Sequence, residues 1–135
     1  MPLVVWSEAL SVGVKSVDDQ HAVLFNAIND LHAAMMKGSA RSMVGELLCR
    51  LLVYTRSHFS AEEELMDSAQ WSGLSQHKLL HRDLTGKVEQ YIARFEKGDL
   101  SLSVDLAGFL SDWLATHIQK VDKMYTPCLH EHGIR

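Results

Sequence analysis

Eight of the 135 residues are histidine, where ordinary composition would supply about three. Histidine titrates near neutral pH and is the commonest protein metal ligand, so the spacing decides what the eight mean. His58 and Glu62 stand four residues apart, as do His77 and His81. On a helix that spacing is one turn, and both members of each pair share a face. His21 sits one turn ahead of Phe25, and His117 lies three residues after Leu114 and seven after Leu110. Both therefore point with apolar neighbours toward an interior. Asp122 follows His117 by five, which a regular helix rotates about 140° off the face. Either Asp122 reaches back across the helix or a local π-type turn, often found at functional sites, brings it round.

One inward histidine is ordinarily satisfied by a backbone carbonyl. Five of them with Glu62 and Asp122 in one small core are not, because each unpaired buried polar group costs roughly 1–3 kcal/mol. A buried carboxylate costs more unless it meets a cation or a metal, and no Lys or Arg lies on these stripes. A metal centre satisfies the whole set. Zinc takes four ligands and has no use for seven; calcium and magnesium prefer oxygen. Two iron ions suit mixed imidazole and carboxylate donors inside a helix bundle. If Glu62 and Asp122 both bridge and one solvent oxygen is shared, one octahedral position stays open for a small ligand.

The elements that must carry these residues are legible from a 3.6-residue period. A first helix is expected over about 18–37, with Ser16 and Asp19 as a capping box and Gly38 as the stop. Its stripe is Leu24, Phe25, Ile28, Leu31 and Met35. A second runs over about 40–67 with Leu47, Leu51, Tyr54, Leu65 and Met66. A third covers about 74–97 with Leu80, Leu84, Val88, Ile92 and Phe95. The fourth covers about 102–125 with Leu106, Phe109, Leu110, Trp113, Leu114, Val121 and Met124, and Pro127 ends it. The expected fold is all-α: an antiparallel, up-down-up-down four-helix bundle with an N-terminal arm. One domain spans 1–135, with the arm at 1–17, the bundle at 18–125 and a tail at 126–135. Trp6 is the expected anchor of the arm.

Composition narrows the partners. Hydrophobic residues make up 47% and charged residues 22%, a globular balance. The net charge of −4 and the absence of a Lys/Arg stripe argue against nucleic acid. No stretch is apolar enough for a membrane span. The start lacks the basic region of a secretory signal, so a cytoplasmic protein is expected. Cys49 and Cys128 match no zinc or redox spacing and read as reduced thiols.

With these motifs assembled, the chain resembles the hemerythrins. His21, the step from His58 to Glu62, the step from His77 to His81 and the step from His117 to Asp122 look like that family's ligand set. The flanks agree, from Gly13 to His21 and from Trp113 to Ile118, and the segment from Lys120 to Leu129 looks like the end of the single-domain bacterial members. The resemblance implies reversible O2 binding at a non-haem di-iron centre, for carriage, storage or delivery. One iron would take His77, His81 and His117, the other His21 and His58, with Glu62, Asp122 and a solvent oxygen as bridges. The open position then falls on the iron of His21 and His58. Leu114 and Ile118 would wall the O2 pocket against water. The expected protein is a monomeric binder rather than an enzyme, with O2 as ligand and an O2-consuming enzyme as possible recipient. The alternatives are a di-iron enzyme acting on peroxide or nitric oxide, and an O2- or redox-sensing module. Neither Glu-x-x-His pairs nor extra carboxylates, the marks of di-iron oxidases, occur on these stripes.

Around the set, Tyr54 reads as a packed core tyrosine and His32 as structural, being three turns from His21. Glu63 and Glu64 are expected to face solvent, and His130 and His132 to lie in a solvated tail.

Overall fold

The computed structural model describes residues 3–98 and 102–135, apart from the side chains at 103, 104, 114–116 and 119. Four long helices enclose one core: α1 (Lys15–Met36), α2 (Arg41–Ser68), α3 (Leu74–Glu96) and α4 (Leu102–Trp113). α1 packs on α2 and α4, and α3 packs on the same two. Helices joined by short turns and closed into such a ring form the antiparallel up-down-up-down bundle. Beyond α4 the chain continues as a π-helical segment (Leu114–Val121), a 3-10 turn (Asp122–Tyr125) and a short α5 (Thr126–Glu131). Among the described residues there is no strand.

The helix ends follow local chemistry. α1 begins at Lys15, earlier than the expected 18, and the capping box of Ser16 and Asp19 does not form. Asp18 faces the incoming arm instead, accepting hydrogen bonds from Val12 N–H at 2.9 Å and Ser11 Oγ at 2.6 Å. Gly38 ends α1 as expected. Its φ of +67° lets Ser39 N–H reach Ala34 O and Gly38 N–H reach Met35 O, a Schellman closure. α2 closes the same way, but Gln70 takes the left-handed position at φ +53°.

The core faces are those the buried donors dictate. In α2 the buried line is Val44, Leu48, Leu51, Thr55, His58, Glu62 and Met66. Tyr54, expected in the core, is 38% exposed, because the His58–Glu62 face lies one position round from it. In α3, His77, His81 and Val88 are buried, and Leu80 is exposed at 42%. In the fourth helix the expected inward Met124 is 64% exposed and its neighbour Tyr125 is fully buried.

The two chain ends meet. Trp6 packs half-buried against the main core, and Val4 exchanges two hydrogen bonds with the Asn29 side chain. Val12, Val14 and Val17 form a second cluster with Met66, Ala69, Tyr125 and Leu129. Thr126 Oγ1 donates to Val12 O at 2.6 Å, and His130 Nε2 to Gly13 O at 2.7 Å. His132 Nδ1 bonds Cys128 O. His130 thus belongs to a folded clasp rather than a solvated tail, while His132 stays exposed. Any side chain at Gly13 would crowd His130, and its φ of +75° suits only glycine.

Leu106 is fully buried in the main cluster, so Leu106→Ala should cost about 2–5 kcal/mol. Leu80→Ala, on the solvent face, should change stability by no more than about 0.5 kcal/mol. Chemical denaturation of the two variants beside the parent checks the assignment of the faces.

Candidate metal centre

Each bundle helix delivers part of one buried cluster. His21 comes from α1, His58 and Glu62 from α2, His77 and His81 from α3, and His117 and Asp122 from the irregular end of the fourth helix. All seven side chains are buried, Glu62 and Asp122 completely. Asp122 N–H bonds His117 O, five residues back. That π-type bond puts residues five apart on one face, so Asp122 need not reach across its helix. The same inserted residue carries the inward position from Met124 to Tyr125.

The carboxylates divide the cluster. Glu62 Oε1 lies 2.9 Å from His81 Nε2 and 3.1 Å from His77 Nε2, and Asp122 Oδ1 lies 2.9 Å from His117 Nε2 and 3.1 Å from His77 Nε2. The other two oxygens turn the opposite way. Glu62 Oε2 is 3.4 Å from His58 Nε2, and Asp122 Oδ2 is 3.4 Å from His21 Nε2. Two donor groups result: Glu62, His77, His81, His117 and Asp122, and His21, His58, Glu62 and Asp122. Within each, the donor atoms lie no more than 4.8 Å apart.

Much of this proximity is not hydrogen bonding. Among the described residues, Nε2 of His21, His81 and His117 and both oxygens of Asp122 are buried without a hydrogen-bond partner. Buried polar atoms are nearly always paired. Lone pairs that converge without bonding one another are the donor arrangement a cation satisfies, and soft-to-borderline imidazole with carboxylate suits a transition metal. The residues fit two adjoining ions.

A second ring of contacts orients the imidazoles. His58 Nδ1 meets Gln20 Oε1 at 2.7 Å, and His81 Nδ1 meets Glu63 Oε2 at 2.8 Å. Each acceptor holds the ring proton on Nδ1 and leaves Nε2 free to point inward. Glu63 therefore does not simply face solvent as expected. Phe59 stacks flat on His81 at 3.7 Å. Tyr125 O–H donates to Glu62 Oε2 at 2.9 Å, and Trp71 packs edge-on against both Tyr125 and His77. Sequence reasoning missed Tyr125, since the only signal was the five-residue step between His117 and Asp122. Tyr54, His130 and His132 belong to none of these contacts. Ile118 is buried in the main core; the Leu114 side chain lies outside the described ones.

Protonation in the metal-free chain follows from the same contacts. Burial pushes Glu62 up, but the imidazoles of His58, His77 and His81 outweigh it and hold the carboxyl well below its usual range. For Asp122, burial and the Glu62 charge push upward, and His117, His21 and His77 bring the net shift down. Burial pulls His77 down, yet Asp122 and Glu62 raise it from 6.5 to about 9. Burial, then the two carboxylate charges, raise the Tyr125 phenol, which stays a donor.

A helix bundle that gathers five imidazoles and two carboxylates into adjoining donor groups belongs to the histidine-rich metal-binding bundles. The description "Hemerythrin HHE cation binding domain" matches residues 12–129, and the chain belongs to the hemerythrin family. Bacteriohemerythrin of Methylococcus capsulatus is 36% identical over 130 residues, covering 96% of this chain and 98% of that one. Bacteriohemerythrin of Stenotrophomonas maltophilia is 36% identical, covering 98% and 85%. Myohemerythrin-1 of Phascolopsis gouldii is 31% identical, covering 90% of each. The crystal structure of a wild-type hemerythrin superposes with a TM-score of 0.86 at 36% identity, covering 94% of this chain and 98% of that one.

The shifts give the metal-free chain a pH profile. His77, raised from 6.5 to about 9, contributes stability that is complete below 6.5 and lost as pH rises through 9. The lowered carboxylates contribute stability that is present above their ordinary values of 4.5 and 3.8 and lost as pH falls. The chelated chain should therefore melt highest between these limits and lower toward pH 9. Bound metal requires neutral imidazoles, so it should abolish the alkaline loss. Thermal melts across this range, with and without chelator, read both limbs.

Proposed function

We propose that the chain, as one domain over 1–135, binds O2 reversibly at a non-haem di-iron centre, serving carriage, storage or delivery rather than turnover. The observation that carries this reading is the division of each carboxylate. Glu62 and Asp122 each turn one oxygen toward His77, His81 and His117 and the other toward His21 and His58, as bridges between two ions would. A five-imidazole set contributes little negative charge, which favours reversible O2 chemistry over high-valent iron. In this reading His77, His81 and His117 would hold one iron and His21 and His58 the other, and the ion with fewer imidazoles would offer O2 its place.

The chain's own residues do the rest. Gln20 and Glu63 orient His58 and His81. Tyr125 steadies the Glu62 oxygen on the two-histidine side. Ile118 is 1% exposed, and this reading assigns to it and to Leu114, three residues before His117, the apolar wall that would exclude water. A dry wall would limit the supply of protons that oxidation of bound iron in air requires. The reading places a monomer in the cytoplasm with O2 as ligand and an O2-consuming enzyme as recipient.

The purified chain should hold about two irons, and Glu62→Ala should lose both together because they share that carboxylate; iron assay reads the ratio. A protein fully occupied by a single zinc would sink the assignment. His58→Ala takes half the imidazoles of the open iron and His77→Ala a third of those on its neighbour, so the first should depress O2 uptake more than iron content. Equal, proportionate losses in both variants would reject the placement of the vacancy. Leu114→Ala should keep its iron and oxidise in air several-fold faster, which the decay of the oxygenated absorption band measures. An unchanged oxidation rate with a lowered melting temperature would reduce Leu114 to packing.

A further inference from the structure

On the outer side of His81, between α2 and α3, a cleft of about 280 Å³ opens to solvent. Its floor is Phe59 and the edge of His81, and its walls carry Arg56 from α2 and Lys78 and Arg82 from α3. Three cations on one small concavity run against the net charge of −4 of the whole chain. Lys78 and Arg82 are one helical turn apart, where like charges repel, and among the described residues neither has a carboxylate partner. Arg56 commits one nitrogen to Glu89 at 3.1 Å and keeps its other donors. Glu63, the one acidic group lining the cleft, turns its carboxylate to His81. Ser60 adds a hydroxyl donor to the wall, while the Thr85 hydroxyl is already spent on His81 O.

We propose that this cleft is a binding site for a small oxyanion, a phosphate or a carboxylate, held by Arg56, Lys78 and Arg82. Charge-assisted bonds from a guanidinium fork suit planar or tetrahedral oxyanions. An anion there offsets the repulsion between Lys78 and Arg82, neither of which pairs with a carboxylate among the described residues. The volume lies just below the range of drug-sized ligand pockets, roughly 300–1,000 Å³, so the site takes an anion of a few heavy atoms and not a nucleotide. The bound ion would sit beside Glu63, one hydrogen bond from a histidine of the metal cluster. The binding itself depends on no particular metal, so its test stands apart from the O2 reading.

The test is a titration of the full chain as purified with inorganic phosphate and, separately, acetate, followed by amide chemical shifts and calorimetry. Saturable binding of either, with shifts centred on residues 56–63 and 78–85, is expected. Arg82→Ala or Lys78→Ala should weaken it about ten-fold or more, Arg82→Lys should retain part, and Lys15→Ala, outside the cleft, should change nothing. The phosphate and acetate arms tell which oxyanion the site prefers. No saturable shift with either anion overturns the proposal. So does binding that survives Arg82→Glu, because the anion would then sit on the metal.

Discussion

Two carboxylates inside an apolar bundle are the constraint from which the rest of the molecule follows. Glu62 and Asp122 have no exposed surface, and an uncompensated buried charge costs several kcal/mol even after the surroundings relax. Here the compensation comes from imidazoles on every side, which keep both carboxyls ionised, while the two carboxylates in turn raise His77. The helices must therefore present donors at matching heights. α1 gives one histidine, α2 and α3 one i,i+4 pair each, and the fourth helix departs from regular geometry to supply the last two groups. Apolar side chains fill the remaining length, and the faces they occupy are the faces the donors set.

This order explains what could be read from the chain and what could not. The helix-period stripes and the punctuation at Gly38 made the bundle legible, and four-residue spacing made most of the cluster legible too. Tyr54 and Leu80 were misread because apolar periodicity is broad. Two adjacent stripes satisfy it almost equally, and burial of His58, Glu62, His77 and His81 selects between them. Met124 was misread for a different reason. Its phase was counted through a regular helix, whereas the π-type bond between Asp122 and His117 adds a residue and brings Tyr125 inward. Glu63 was read from rotation alone, and a long side chain can bend back to a partner that rotation does not reveal. The capping box failed because the helix starts at Lys15, which puts Ser16 inside it, and the arm bonds to Asp18 rather than Asp19, a tertiary demand that local signals do not carry.

The family gives the cluster its context, and the chain's own contacts give it individuality. The two donor groups are supported differently from outside. His81 leans on a carboxylate and His58 on an amide. A carboxylate partner makes an imidazole the stronger donor, so the two sides of the cluster are unequal in electron supply as well as in histidine count.

The clasp between the chain ends has a mechanical consequence. Thr126 and His130 hold Val12 and Gly13 across 114 and 117 residues of sequence, and Tyr125, the partner of Glu62, stands directly before them. Tension applied between the two termini loads these few side-chain bonds before it loads the contacts among α1, α2, α3 and α4. The clasp is the weak link in series. Once the Val4–Asn29 bonds and Trp6 nearer the end have released, the next event under force is the parting of arm from tail, beside Tyr125, while the four helices and the imidazoles they carry still stand.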